Sequence, residues 1–319
     1  MEGKHVGAWI RERLAADVVG QGRVVELVIA CVGARAHVLL EGPPGVAKTL
    51  VASEIARAMG LGFKRVQMTP DLMPGDLLGT SVWLPNEGRF EFRRGPVFTH
   101  VLLADEINRA PPKTQAALLQ AMQEHRVSLD GVEHDLGRDF WVVATQNPLD
   151  QEGTYPLPES QLDRFALKVT VEFPTAEEEL EVLRRHQTLG DALERASTST
   201  RDALSVDDVG AFQAAVRSIH VAEPVLEYIH TVVRMTREQP ELSVGAGPRA
   251  ALSLLDVSRS LAMVRAREFV VPDDVRDLFI ACVGHRVRMA PEAVVTGVGV
   301  DEILERILRG VPVPEVGGP

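Results

Sequence analysis

Two short stretches carry side chains suited to handling a phosphate ester. Residues 42–49 read Gly42-Pro43-Pro44-Gly45-Val46-Ala47-Lys48-Thr49, after an apolar run at 38–41 and before a helical pattern that opens at Leu50. Glycines let such a loop curl until successive N–H groups converge on an anion, and the positive end of the following helix points at the same place. In that setting the Lys48 ammonium reaches the β- and γ-phosphates of ATP, and the Thr49 hydroxyl ligates Mg²⁺. Ala47 stands where a second glycine is usual. Entering the helix in the right-handed region, alanine is expected to avoid a clash. Taken alone, the stretch also reads as a Pro/Gly turn before a helix with a surface lysine.

The second stretch is the apolar run 101–104 ending in Asp105-Glu106. Adjacent carboxylates at the end of a buried strand are costly unless something cationic faces them. A metal-bound nucleotide supplies that compensation: Asp105 is expected to hold Mg²⁺, usually through its water shell, and Glu106 to orient and polarise the attacking water. An acidic helix cap is the simpler alternative. A further apolar strand ends at Gln146-Asn147-Pro148, where the Asn147 amide can touch both the γ-phosphate and the water, although Asn-Pro is also an ordinary turn. In the segment 157–165, Arg164 can neutralise charge on the γ-phosphate of a neighbouring subunit, or pair locally with Asp163 or Glu159. Arg249 opens a helix after Gly245-Ala246-Gly247-Pro248. A helix start disfavours a cation unless an anion faces it, so Arg249 is expected to reach across its own cleft to the phosphates rather than stand solvated.

These residues need rigid elements behind them. Short apolar runs at 37–41, 64–68, 101–104, 140–145 and 166–171 alternate with helical patterns, the signature of a parallel sheet wrapped by helices. Two hairpins interrupt that rhythm, one within 76–98 turning at Asn86-Glu87-Gly88, the other within 126–138 turning at Asp130-Gly131. After Pro174, Thr175 and Glu178 form a capping box for a helix at 176–186. Helices at 206–219, 224–238, 248–267 and 272–283 follow, with Pro224, Pro248 and Pro272 in first turns. The expected division is an α/β core over 1–174 and a helical lid over 175–319, with a frayed tail from 311.

The net charge of −11, with 45% hydrophobic residues, describes an ordinary globular chain whose acidic surface repels nucleic acid. No run is long enough to span a bilayer, and Cys31 and Cys282 sit in apolar helical patterns as reduced thiols. A cytoplasmic location fits both features.

With these residues in hand, the chain resembles the MoxR family of AAA+ ATPases over nearly its whole length. Val19-Gly20-Gln21 is similar to the family's adenine-proximal box, GPPGVAKT to its Walker A loop, and LLADEINRAPPKTQAALLQAMQE to its Walker B strand and following helix. ATQNP resembles sensor 1, LPESQLDRF the arginine-finger segment, and GAGPRA sensor 2. The resemblance implies a five-stranded parallel sheet sandwiched by helices, a helical lid, and ring hexamers doing chaperone-like work or metal insertion. It also implies partners with a von Willebrand factor A domain, and hairpins that serve as a helix-2 insert and a pre-sensor-1 hairpin facing a pore. Two other classes stay in view. A nucleic-acid motor or restriction NTPase is disfavoured by the acidic balance, and a scaffold without turnover by the Asp105-Glu106 pair.

Overall fold

The computed structural model describes residues 3–148, 153–189 and 203–315, so 190–202 and 316–319 of the expected lid lie outside the described residues. Helices α1 (Gly3–Asp17) and α2 (Gly22–Gly33) precede strand β1 (Val38–Glu41). Then come α3 (Lys48–Ala58), β2 (Phe63–Gln67), α4 (Pro74–Leu78), the hairpin β3 (Gly79–Leu84) and β4 (Arg89–Arg94), and β5 (Val101–Asp105). Helix α5 (Pro112–Glu124), the hairpin β6 (Arg126–Leu129) and β7 (Val132–Asp135), β8 (Trp141–Gln146), α6 (Glu159–Leu162) and β9 (Leu167–Thr170) complete the α/β half. The five core strands match the sequence expectation to within one residue at each end.

They form one sheet in the order β2-β5-β8-β1-β9, with every neighbouring pair parallel. Parallel pairs need helical crossovers, which cover both faces and explain why β5 is buried along its whole length. The strand at 63–67 is different: as the edge strand it leaves Lys64, Arg65 and Gln67 exposed. Alternation sorts β1 between two cores. Val38 and Leu40 join the cluster under α1, α2 and the lid, while Leu39 joins Leu102, Val142, Leu118 and Phe165 on the other face.

Beyond β9 lie α7 (Ala176–Leu189), α8 (Val206–Val216), α9 (Glu223–Met235), α10 (Pro248–Val264), α11 (Pro272–Val283), α12 (Pro291–Thr296) and α13 (Val300–Gly310). The Thr175–Glu178 capping box is present, with Thr175 N–H donating to Glu178 Oε2 at 2.8 Å. Helix α10 stops three residues short of the expected 267, and Ala266, just beyond it, turns left-handed at φ 57°. The lid also contains a short antiparallel ladder that the periodicity did not announce, β10 (Leu242–Val244) against β11 (Arg288–Met289). One apolar cluster runs from Val6 through Val171 and Leu204 to Val311, so packing is continuous across the expected division near 174.

The two hairpins on either side of β5 are joined. Ser81 Oγ donates to Asp130 Oδ2 at 2.6 Å, and the Phe92 and His134 rings stack with centroids 4.0 Å apart. Asp130 and Gly131 both have positive φ, the two-residue turn that their dipeptide favours.

Candidate functional site

At the carboxyl end of β1 the chain passes so close to the exit of β9 that a Cβ on Gly42 would lie 2.3 Å from the Val171 carbonyl oxygen. Gly45 has φ 86°. Ala47 departs from expectation: it is left-handed, with φ 62° and ψ 19°, not right-handed. The loop must invert there to aim its amides inward before α3 begins, which is why glycine is usual, and alanine holds the turn at a cost of about 1 kcal/mol. Val46 packs into the core, whereas Pro44 and Gly45 are exposed. Helix α3 starts without a side-chain cap or a first-turn acid, leaving its positive end to an anion. Lys48 Nζ curls back to donate to the carbonyls of Gly42 at 2.5 Å and Pro43 at 2.7 Å. Burial lowers the Lys48 pKa, and the charges of Asp105 and Glu106 oppose that shift.

Strand β5 brings the acid pair to the same edge. Thr49 Oγ1 donates to Asp105 Oδ2 at 3.5 Å, and Thr145 Oγ1 donates to Asp105 Oδ1 at 2.6 Å. The same Thr145 oxygen accepts the Glu106 N–H at 2.8 Å, so one hydroxyl positions both acids. Arg65, on the edge strand, grips Asp105 Oδ2 through Nη2 at 2.5 Å and Nε at 3.0 Å. Glu106 is left-handed, at φ 58° and ψ 54°, a strained conformation that swings its carboxylate off the strand direction. That carboxylate accepts from Gln67 Nε2 at 2.8 Å and Arg109 Nη1 at 3.1 Å. Asn147 is buried one residue past β8.

The donor set suits Mg²⁺. Thr49 and Asp105 offer hard oxygens 3.5 Å apart, and no cluster of three or more metal-binding side chains occurs among the described residues. An ion that keeps several waters and shares phosphate oxygens needs only such a pair. Beside this edge, a cleft of about 660 Å³ lies between core and lid, lined by Gly20, Gln21, Glu41, Thr170, Phe173 and Asp277 among others. Gln21 Nε2 donates to the Glu172 carbonyl at 3.1 Å, and half-buried Val19 adjoins the cleft's rim at Gly20. Its position and size suit a nucleoside.

Arg164 and Arg249 sit elsewhere. Arg164 precedes β9, whose first residue, Leu167, pairs with Val38 at the opposite end of β1 from the phosphate loop. A four-residue strand separates the two ends by on the order of 10 Å. The expected reach of Arg249 across its own cleft is therefore not what the structure contains: its Nη1 donates to Asp163 Oδ2 at 2.9 Å. Arg164, Arg249, Arg35 and Arg286 line one cavity of about 230 Å³, in which Asp163 is the only acid. Arg164 Nε and Nη1 are buried without a hydrogen-bond partner among the described residues, and the local ion pair considered for Arg164 is not formed: Asp163 and Glu159 are engaged by other arginines.

Arg65, Gln67, Thr145 and Arg286 escaped the sequence reading. A polar residue recurring on an edge strand was the available signal for the first two. For Thr145 it was a lone hydroxyl in an apolar run. Arg286 left no local signal.

Residues 37–167 match the ATPase family associated with various cellular activities (AAA), and residues 234–307 match an AAA lid domain. The uncharacterized protein YeaC of Bacillus subtilis is 38% identical over 303 residues, covering 95% of this chain and 93% of that protein. Chaperone MoxR1 of Mycobacterium tuberculosis is 39% identical over 308 residues, covering 94% of this chain and 80% of its own length. A crystal structure of a candidate ATPase from Cytophaga hutchinsonii superposes with a TM-score of 0.85 at 35% identity, covering 97% of both chains.

Proposed function

Because the chain belongs to the MoxR family of AAA+ ATPases and hydrolyses ATP, we propose that it works as a Mg²⁺-dependent ring, a hexamer by family resemblance, that remodels protein clients. The observation that carries this reading is the division of the charged machinery between two ends of one sheet. Lys48, Thr49, Asp105 and Glu106 stand at one end, and Arg164, whose Nε and Nη1 find no partner among the described residues, stands with Arg249 at the other. Each chain thus offers half a site at each end, and a head-to-tail ring brings the halves together.

In the assembled site, loop amides and Lys48 hold the β- and γ-phosphates, while Asn147 orients water. Thr49 and Asp105 would hold Mg²⁺, which would supply charge neutralisation to the triphosphate. Glu106 must first leave Gln67 and Arg109, and then accepts the proton of the attacking water. The water oxygen bonds to the γ-phosphorus as the bond to the bridging oxygen breaks, releasing ADP and phosphate. Arg164 and Arg249 of the neighbour offset the charge on the γ-phosphoryl group.

Client contact is assigned to the joined hairpins. Trp83 and Phe90, with ring centroids 5.0 Å apart, are 48% and 67% exposed, and Val132 is 54% exposed on the other hairpin. Apolar groups held out on a two-hairpin platform suit an unfolded segment better than a phosphate backbone. A von Willebrand factor A partner and metal insertion rest on the resemblance alone. No helix among the described residues is long and apolar enough to cross a membrane.

Mixed assemblies test the shared site. Lys48→Ala and Arg164→Ala proteins are each expected to lose hydrolysis by about 10³-fold or more. Mixed one to one, random placement around a closed ring gives about a quarter of the wild-type rate. A mixture as inactive as its parts rejects the shared site.

A further inference from the structure

We propose that Arg286, on the lid, is the positioning residue for Arg164, so that the lid of one subunit sets the reactivity of its neighbour's nucleotide. This rests on the reading that Arg164 acts on an adjacent subunit.

The Arg286 side chain is only 3% exposed, yet it is a permanent cation. A buried guanidinium is tolerated only when its donors are met, and here they are spent on the turn that carries Arg164. Nη2 donates to the Phe165 carbonyl at 2.9 Å and to the Asp163 carbonyl at 3.4 Å. Nη1 reaches the Ala166 carbonyl at 3.5 Å. Nε lies 3.0 Å from Asp163 Oδ1, an ion pair whose angle falls short of a hydrogen bond. One side chain thus holds the backbone on both sides of residue 164.

Its other contacts lead into the lid. Nη2 donates to Ser253 Oγ on α10 at 3.1 Å, and Nη1 donates to the Cys282 carbonyl on α11 at 2.9 Å. His285 adds a ring nitrogen 3.0 Å from the Phe165 carbonyl. A movement of α10 or α11 is therefore passed to the turn at 163–166. Arg164 itself takes part in none of these bonds; its Nε and Nη1 are buried without a hydrogen-bond partner among the described residues, so the held turn, and not an ion pair of its own, sets where its side chain points.

Lysine keeps the charge of Arg286 but cannot bridge Asp163, Phe165, Ser253 and Cys282 at once, because its donors radiate from a single nitrogen. A displacement of about 1 Å at a catalytic group costs up to about 100-fold, so Arg286→Lys should lower kcat by roughly 10- to 100-fold. KM for ATP should stay within about twofold, because the binding loop is untouched. Arg286→Lys sites should recover when mixed with Lys48→Ala subunits, which supply a well-held Arg164, and should not recover with Arg164→Ala subunits. Ser253→Ala, a milder change, should lower kcat about fivefold with the same pattern of recovery, and covers the case in which the lysine variant does not fold.

Wild-type kcat in both variants overturns the proposal, as does a KM that rises in step with a falling kcat. So does failure of Lys48→Ala to rescue Arg286→Lys or Ser253→Ala when it does rescue Arg164→Ala. If Arg164→Ala is not rescued either, the shared site has failed first, and the proposal with it.

Discussion

Replacing Arg65 by glutamine should make the protein need less magnesium. In the structure Arg65 directs two donors at Asp105 Oδ2, at 2.5 and 3.0 Å, the same oxygen that the Thr49 hydroxyl faces. In the proposed site, an ion held by Thr49 and, directly or through its water shell, by Asp105 would compete with that guanidinium for Oδ2, so the arginine would favour the metal-free site over the loaded one. Coulomb attraction at this range is about 4 kcal/mol in a medium of intermediate dielectric. Half of the Arg65 side chain is in solvent, at 50% exposure against 10% for Asp105, and screening reduces the net worth to about 1 kcal/mol. That amount corresponds to roughly a fivefold fall in the magnesium concentration for half-saturation. Glutamine keeps an amide that can still donate, and Thr145 continues to satisfy Asp105 Oδ1, so no acid is orphaned. The assay is a magnesium titration of a fluorescent, non-hydrolysable ATP analogue, followed by anisotropy. The same variant provides a second sign: without metal, a bare Asp105 repels the triphosphate, so binding in chelator should weaken. Both effects should shrink as salt is raised. An unchanged or higher magnesium requirement, with metal-free binding unaltered, refutes the competition between arginine and ion.

Other outcomes follow from the same geometry. Gly42→Ala sets a Cβ 2.3 Å from a backbone oxygen and should lose about 3 kcal/mol of stability, whereas Gly45→Ala meets nothing within 4 Å and loses only about 1 kcal/mol of backbone strain, so equal losses in chemical denaturation would contradict the packing. Burial brings the pKa of His37 down to about 4 and that of His285 down to about 3, from 6.5. Between pH 6.5 and about 4 the unfolded chain binds protons that the folded chain refuses, so stability falls as pH falls, by up to about 1.4 kcal/mol per pH unit for each histidine. Urea midpoints should decline steeply below pH 6 and level off above 7, and a flat profile between pH 7 and 5 would show that neither ring is held neutral.

The sequence by itself determined whatever depends on neighbours along the chain. Alternating apolar runs marked the five strands, glycine and proline marked the phosphate loop and the hairpin turns, and a strand ending in Asp105-Glu106 marked the acid edge. Each is a local preference, carried by residues adjacent in the chain, and here the packing agrees with it. The tertiary structure alone decided which partners those residues meet. Parallel register sets Gln67 beside Asp105, and Ala104 beside Ala144, which brings Thr145 under both acids. Loop closure forces Ala47 into the left-handed region against its own preference. The packing of α10 and α11 carries Arg249 to Asp163 and buries Arg286 behind Arg164. Such contacts join residues far apart in the chain, and they depend on how whole strands and helices pack, which no short window of sequence records.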